Sequence, residues 1–266
     1  MGRRRKTREV VVKRRVLVSL LDKNEGLARL LCQEMAKAGL DAQAHFWDAS
    51  LESMAWSLAA GELASCSAWV IAGTDFADRN VRRSLALAAL SVQAESGIAF
   101  PILLSPSGAS FDVSCLPDPL RGAEVVKSGL GVKAAVKAGT FRKVMPEYRL
   151  KPLAPTGLGL WFEVGPADHP WAGAFFASGA AGTDKAVPTV HGVGHAGSIP
   201  ARCTLHYPVA GMKVEVRQVA CEGWGVKNEL TPADSYYVRV GDVPDVLAFG
   251  PFPDTDDAEM FTVSLI

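Results

Sequence analysis

The residues with the clearest capacity for chemistry lie in His191-Gly192-Val193-Gly194-His195, where two imidazoles recur at a four-residue interval, with Cys203 and His206 downstream and His169 upstream. Imidazole and thiolate groups are zinc ligands, and two histidines with a third ligand from a neighbouring strand build an open metal site. His191, His195, Cys203 and His206 are therefore the candidate metal ligands. The competing reading is a flexible surface loop. Two glycines between the histidines argue against a rigid helix, and no downstream Asp or Glu completes a known ligand pattern.

A second group sits where strands should end. Open α/β sheets bind ligands at their carboxyl edge, which makes Asp22, Trp47, Asp48 and Asp75 the candidate ligand-binding residues. For Trp47 the competing role is to cap the core. Phosphate is not expected here. The turn Leu21-Asp22-Lys23-Asn24-Glu25-Gly26 has two acids and one glycine, unlike the Gly-x-Gly-x-x-Gly or Walker patterns. Ser128-Gly129-Leu130-Gly131-Val132-Lys133 reads as a plain turn before a last helix. Arg79, Arg82 and Arg83 form a positive cluster, read as a solvated helix face or as a contact for an acidic partner surface.

The elements that must position these residues alternate between apolar runs and helical periodicity, the pattern of βαβ units in a parallel sheet. Strands are expected at 16–21, 42–47, 68–72 and 100–104, and helices at 24–39, 51–66 and 80–94. Leu27, Leu30, Leu31, Met35 and Ala38 recur at helical spacing, and Gly39 stands where a left-handed terminal residue is wanted. The near-continuous apolar strands imply a sheet covered on both faces. Beyond residue 150 the punctuation changes: 14 Gly and 11 Pro fall in 151–266 against 11 and 5 in the longer first part, so the chain turns more often. The segment 151–157 reads as the joint, and strands are expected at 158–164, 172–177, 202–207, 212–219, 235–240 and 260–265. The expected fold is thus a doubly wound parallel α/β domain over 16–150, followed by a smaller β-rich sandwich or barrel over 151–266.

The 266 residues are 48% apolar and 21% charged, which excludes a disordered or fibrous chain. Residues 1–15 carry eight Lys or Arg against Glu9, a balance of +7 that the body cancels. This basic arm could contribute to nucleic-acid binding, or could be a frayed, solubilising terminus. The neutral-to-acidic body argues against nucleic acid as a partner otherwise. Stretches without charge are too short and too interrupted by proline for a spanning helix, and no secretory signal is read, so a cytoplasmic protein that does not bind membranes is expected. Five scattered cysteines suggest neither disulfides nor a four-thiolate zinc site, and most are expected to be small buried side chains.

The order of Ala38-Gly39-Leu40, Phe46-Trp47-Asp48, Ser65-Cys66-Ser67-Ala68-Trp69-Val70-Ile71, Asn80-Val81-Arg82-Arg83-Ser84-Leu85, Phe100-Pro101-Ile102-Leu103-Leu104 and Leu116-Pro117-Asp118-Pro119-Leu120-Arg121-Gly122 resembles a bacterial Toll/interleukin-receptor-like (TIR-like) domain. The resemblance covers residues ~14 to ~145, and other flavodoxin-like folds share this order. It implies either a self-associating interaction module or cleavage of the nicotinamide–ribose bond of NAD by a glutamate near the start of the third helix. Such a carboxylate would stabilise an oxocarbenium-like state. The matching position holds Ser84, whose hydroxyl carries no charge. Glu95 lies eleven residues later, about 16 Å along a helix. Asp75 and Asp78 are the near carboxylates, and with Ser84 they are the catalytic candidates. The second-strand loop reads Ala49-Ser50-Leu51-Glu52 where the family has Arg-Pro-Gly-like residues.

The expectation is therefore a binding or regulatory protein with a catalytically degenerate TIR-like domain, self-associating or pairing with another TIR-like protein. Two enzyme readings stand beside it: an NAD-processing glycohydrolase with a relocated acid, and a metal-dependent enzyme using the C-terminal histidines. NAD is the one cofactor suggested.

Overall fold

The computed structural model describes residues 13–107, 111–255 and 258–266. The basic arm, apart from Lys13, Arg14 and Arg15, lies outside the described residues. The chain opens with β1 (Arg15–Leu20), α1 (Glu25–Lys37), β2 (Asp41–Phe46), α2 (Ala55–Leu63), β3 (Ala68–Gly73), α3 (Arg79–Ser96) and β4 (Ile102–Pro106). A short β5 (Glu124–Val125) and α4 (Leu130–Thr140) complete this part. Local chemistry sets the helix starts: the Asn24 side chain accepts from Leu27 N, and the Asp78 carboxylate accepts from Asn80 N and Val81 N. Loop hydrogen bonds from Asp48, Ser50 and Ser53 delay α2, so it starts later than the periodicity suggests.

The five strands are parallel in the order β2-β1-β3-β4-β5, the flavodoxin-like order. Both faces are covered. Val16, Val18, Leu20, Val70 and Leu103 face α1 and α4, while Leu17, Trp69, Ile71 and Leu104 face α2 and α3. The exception is the edge strand β2, where Asp41, Gln43 and Phe46 are exposed.

The second part is all β: β6 (Tyr148–Leu153), β7 (Leu160–Pro166), β8 (Trp171–Gly179), β9 (Pro188–His195), β10 (Val209–Val216), β11 (Val219–Leu230), β12 (Asp234–Val240), β13 (Val246–Gly250) and β14 (Phe261–Ser264). These form two antiparallel sheets, β6-β7-β12-β9 and β10-β11-β8-β13-β14. They pack face to face through contacts such as Phe162 on Phe176 at 5.4 Å between ring centroids.

Several expectations are corrected. The joint read at 151–157 begins inside β6. No strand forms at 202–207, and the stretch read as a loop, 188–195, is β9. The segment 212–219 is not one strand: it contains a two-residue hairpin turn in which Arg217 and Gln218 have φ of 50° and 65°. Such a turn usually signals itself as Asn-Gly or Asp-Gly, so Arg-Gln hides it. Of the cysteines only Cys221 is buried, and Cys115 and Cys203 are exposed.

α3 joins the two parts. Every residue from Arg83 to Val92 is buried, as expected of a helix with no solvent face. It packs on α2 at one side and on β6 at the other, and a continuous apolar core runs past it into the space between the two antiparallel sheets. Alanines at 86, 88 and 89 allow that approach on all sides.

At the start of α3, Arg79 and Arg83 grip Asp245, which has no solvent exposure. Arg79 Nε donates at 3.1 Å and Arg83 Nε at 3.0 Å, the Ala181 N–H adds 2.8 Å, and both guanidinium NH2 groups also pair with the carboxylate. The positive cluster read from the sequence thus meets an acid of this same chain, and only Arg82 stands outside the clamp. Burial pushes the Asp245 carboxyl up, but the hydrogen bonds from Arg79, Ala181 and Arg83 outweigh it and hold the group below the ordinary carboxylate range.

Asp245→Ala is expected to cost about 3–5 kcal/mol, because it strands the Arg83 charge in the interior. Urea denaturation at neutral pH measures the effect, and a loss under about 1 kcal/mol would contradict the account. Because the folded-state pKa is depressed, the contribution of Asp245 is complete above the unfolded value of about 3.9. It is lost as pH falls through the folded value.

Candidate functional site

In this strand order the switch point lies between β1 and β3, whose following helices leave to opposite faces. Here the chain has closed it. Asp22, just after β1, accepts from the Thr74 backbone N–H at 3.0 Å and from the Thr74 hydroxyl at 2.7 Å. Gly73 ends β3 at φ +140°, and a Cβ there would stand 2.7 Å from the Leu21 Cβ. Only glycine lets the two loops approach this closely.

The other edge carboxylates also serve local structure. Asp48 accepts from Ser50 N at 2.9 Å and from the Ser53 hydroxyl at 3.1 Å, shaping the loop before α2. Asp78 caps α3, and Asp75 is exposed with an oxygen 3.3 Å from the Thr74 hydroxyl. Asp22 and Asp75 thus share one rim at the switch point, whereas Asp78 turns its oxygens to backbone N–H groups.

Ser84 lies away from this rim in the core. It has no solvent exposure; its hydroxyl accepts the Trp47 indole N–H at 2.9 Å and donates to Val81 O at 3.0 Å. Trp47 packs 5.7 Å from Trp69, whose own indole N–H donates to the Ser19 hydroxyl at 2.8 Å. Ser19 also contacts His45 Nε2 at 2.6 Å. Burial lowers the His45 pKa, with the Glu62 charge opposing it, so the imidazole tends to the neutral form. Two indoles, two hydroxyls and one imidazole therefore satisfy one another between the sheet and the α2/α3 layer. Trp47 is a core residue in this arrangement.

A pyrophosphate at the switch point would meet the Asp22 carboxylate, and Ser84, where the resemblance expects an acid, is a buried hydroxyl.

The C-terminal candidates do not converge. Strand alternation puts His191 and His195 on one face of β9 and Gly192 on the other, and it is Gly192 whose missing Cβ would meet Cys203 Sγ at 3.3 Å. His191 turns inward, with Nδ1 at 2.7 Å from the Tyr236 hydroxyl and its ring edge-on to Trp224 at 4.9 Å. Burial lowers its pKa. His195 is exposed beside Asp234 at 3.7 Å, and the backbone N–H of His206 donates to the Asn228 side chain. Among the described residues no three His, Cys, Asp or Glu side chains gather in a metal-binding group.

Glu163 was not singled out from the sequence, yet it is 1% exposed on the outer face of the β6-β7-β12-β9 sheet. It accepts from Gly197 N and the Ser235 hydroxyl, both at 2.8 Å. Beside it the Tyr237 hydroxyl donates to His195 O at 2.6 Å and accepts from Ser198 N at 2.9 Å. Burial, with the Glu163 charge, pushes the Tyr237 phenol up to about 12. These bonds tie the turn after β9 onto the sheet. No local sequence signal marked the partners, which are far apart in the chain.

No family model matches the chain, and no curated protein matches it.

Ser84→Glu restores the acid of the resemblance yet places a carboxylate under Trp47 in the core. It is expected to lower the melting temperature sharply and to produce no NAD hydrolysis; a well-folded variant that cleaves NAD would refute the geometry. Treatment with a chelator is expected to leave the melting temperature unchanged, and a drop restored by zinc would show that the C-terminal ligands do converge.

Proposed function

We propose that the chain is a binding or regulatory protein in which a TIR-like α/β module lacking NAD-cleaving chemistry is joined rigidly to a β-rich partner-binding or ligand-binding module. The observation that carries this reading is the closed switch point, where Asp22 bonded to Thr74 fills the place that a cofactor would need. The buried Ser84–Trp47 bond supports it, because a serine committed to the core supplies neither charge nor access. Self-association, or pairing with another TIR-like protein, fits the side that carries α1, α4 and the edge strand β2. That side retains exposed Leu30, Val132 and Val136, whereas α3 is enclosed. No helix among the described residues is long and apolar enough to cross a membrane.

Incubation of the purified full chain with NAD, followed by chromatography for nicotinamide, tests the reading. No release above the buffer rate is expected, and Asp75→Ala and Asp78→Ala should leave that baseline unaltered. Turnover abolished by either substitution would replace this function with a glycohydrolase whose acid has moved to the edge loop.

A further inference from the structure

We infer that the crevice between the two halves of the molecule is a binding site for an elongated apolar carboxylate. The crevice deepens the binding role proposed above by naming a ligand class, and it lies away from the carboxyl edge of the parallel sheet. A cavity of about 530 Å³ opens where the segment before β4, the end of α4 and β14 meet. A second cavity of about 230 Å³ adjoins it, and both are lined by Leu90, Gln93, Ile98 and Tyr148. The first is within the ~300–1,000 Å³ usual for small-molecule sites, which concentrate at domain junctions.

The lining is apolar where a hydrocarbon chain would lie. Phe100 and Phe141 meet edge-on at 6.0 Å in the first chamber, and Met145, Pro146 and Leu150 line the second. At the mouth, Ile98, Val144 and Met145 are 52%, 48% and 47% exposed. Three adjacent apolar side chains left half in water at a cavity entrance mark a recognition surface.

The polar groups select the sign of the ligand. Two carboxylates line the first chamber, and each has two cations within ion-pair distance: Asp118 has Arg217 at 2.6 Å and Arg121 at 3.2 Å, although its Oδ1 accepts no hydrogen bond, and Glu124 has Lys137 at 3.1 Å and Lys133. Arg142 also lines the cavity. Among the described residues no carboxylate lies within ion-pair distance of it, and its guanidinium donates only to Phe141 O at 3.3 Å. Of these cations only Lys137 and Arg142 line the cavity, against Asp118 and Glu124, and of the two Arg142 is the one without a carboxylate partner among the described residues. A guanidinium to spare suits a carboxylate, which Arg binds through paired donors.

A multiply charged phosphate fits less well, since the strong donors of the second chamber are committed elsewhere: Gln93 donates to Pro119 O at 2.8 Å, and the Arg149 guanidinium to Pro232 O, Asp234 O and the Ser235 hydroxyl. Tyr148 adds a neutral donor between the chambers. Its ring is held by Phe249 at 5.0 Å and Phe261 at 4.5 Å, and its hydroxyl makes no hydrogen bond among the described residues.

Calorimetric titration of the full chain with decanoate, decanol and decyltrimethylammonium, each as monomers below micelle formation, tests the assignment. Saturable one-site binding of decanoate is expected, with decanol about tenfold or more weaker and the cation not binding. Arg142→Glu should weaken decanoate by about tenfold or more. Ile98→Trp, which blocks the passage between chambers at an exposed position, should also weaken it, while Leu58→Glu on the far helix should not. Absence of decanoate binding, equal binding of decanol, or unchanged affinity in both crevice variants would each overturn the proposal. None of these readouts involves NAD, so failure here leaves the non-catalytic reading standing, and NAD turnover leaves this site standing.

Discussion

Asp245 is a carboxylate sealed from water, and the relation between the two halves follows from how it is satisfied. Two guanidinium groups from the first turns of α3 and one backbone N–H from the loop after β8 meet on it. Forming such a pair from solvated charges is close to neutral in free energy, whereas removing one partner is expensive. Its main effect is therefore geometric. It fixes the rotation and register of α3 against the β-rich half, and the apolar core on either side of that helix then has one arrangement in which to pack. A secondary clasp at the far end of the interface, Asp118 with Arg217 and the Ser264 N–H at 2.8 Å, sets the opposite corner.

The consequences reach the parallel sheet. A helix buried on every side requires small residues and internally satisfied polar groups, and Ser84 meets both demands by accepting the Trp47 indole. The carboxyl edge, where this fold class commonly presents a cofactor, is instead drawn together by Asp22, Thr74 and Gly73. The open space in the molecule lies at the junction, where two independently regular layers meet without interlocking along their whole length.

Much of the first half was legible because its signals are local. Nearly continuous apolar runs marked β1, β3 and β4, helical spacing from Leu27 to Ala38 marked α1, and Asn24 and Asp78 are caps that any reading of side-chain chemistry finds. In the β-rich half the same reasoning located β7, β8, β12, β14 and most of β10 but missed β6, β9, β11 and β13. β9 is rich in glycine and histidine and was read for its chemistry. β11 begins behind a turn whose Arg-Gln sequence carries no turn signature, in a hairpin whose Arg217 reaches Asp118 nearly a hundred residues earlier in the chain.

The sequence by itself determined which segments are strands or helices wherever apolar periodicity is strong, the absence of a phosphate-cradling glycine loop, and the serine at the position where the resemblance expects an acid. Tertiary structure alone decided that Arg79 and Arg83 face an acid of the same chain, that Ser84 is a core hydroxyl, that His191 and Cys203 stand on opposite sides of one strand, and that a crevice lined by Phe100, Phe141 and Tyr148 opens at the junction. The division has a physical reason. Helix and strand propensities are written within a few neighbouring residues, whereas the pairing of charges and the shape of a cavity depend on groups brought together from distant parts of the chain, and those encounters exist only once the layers have packed.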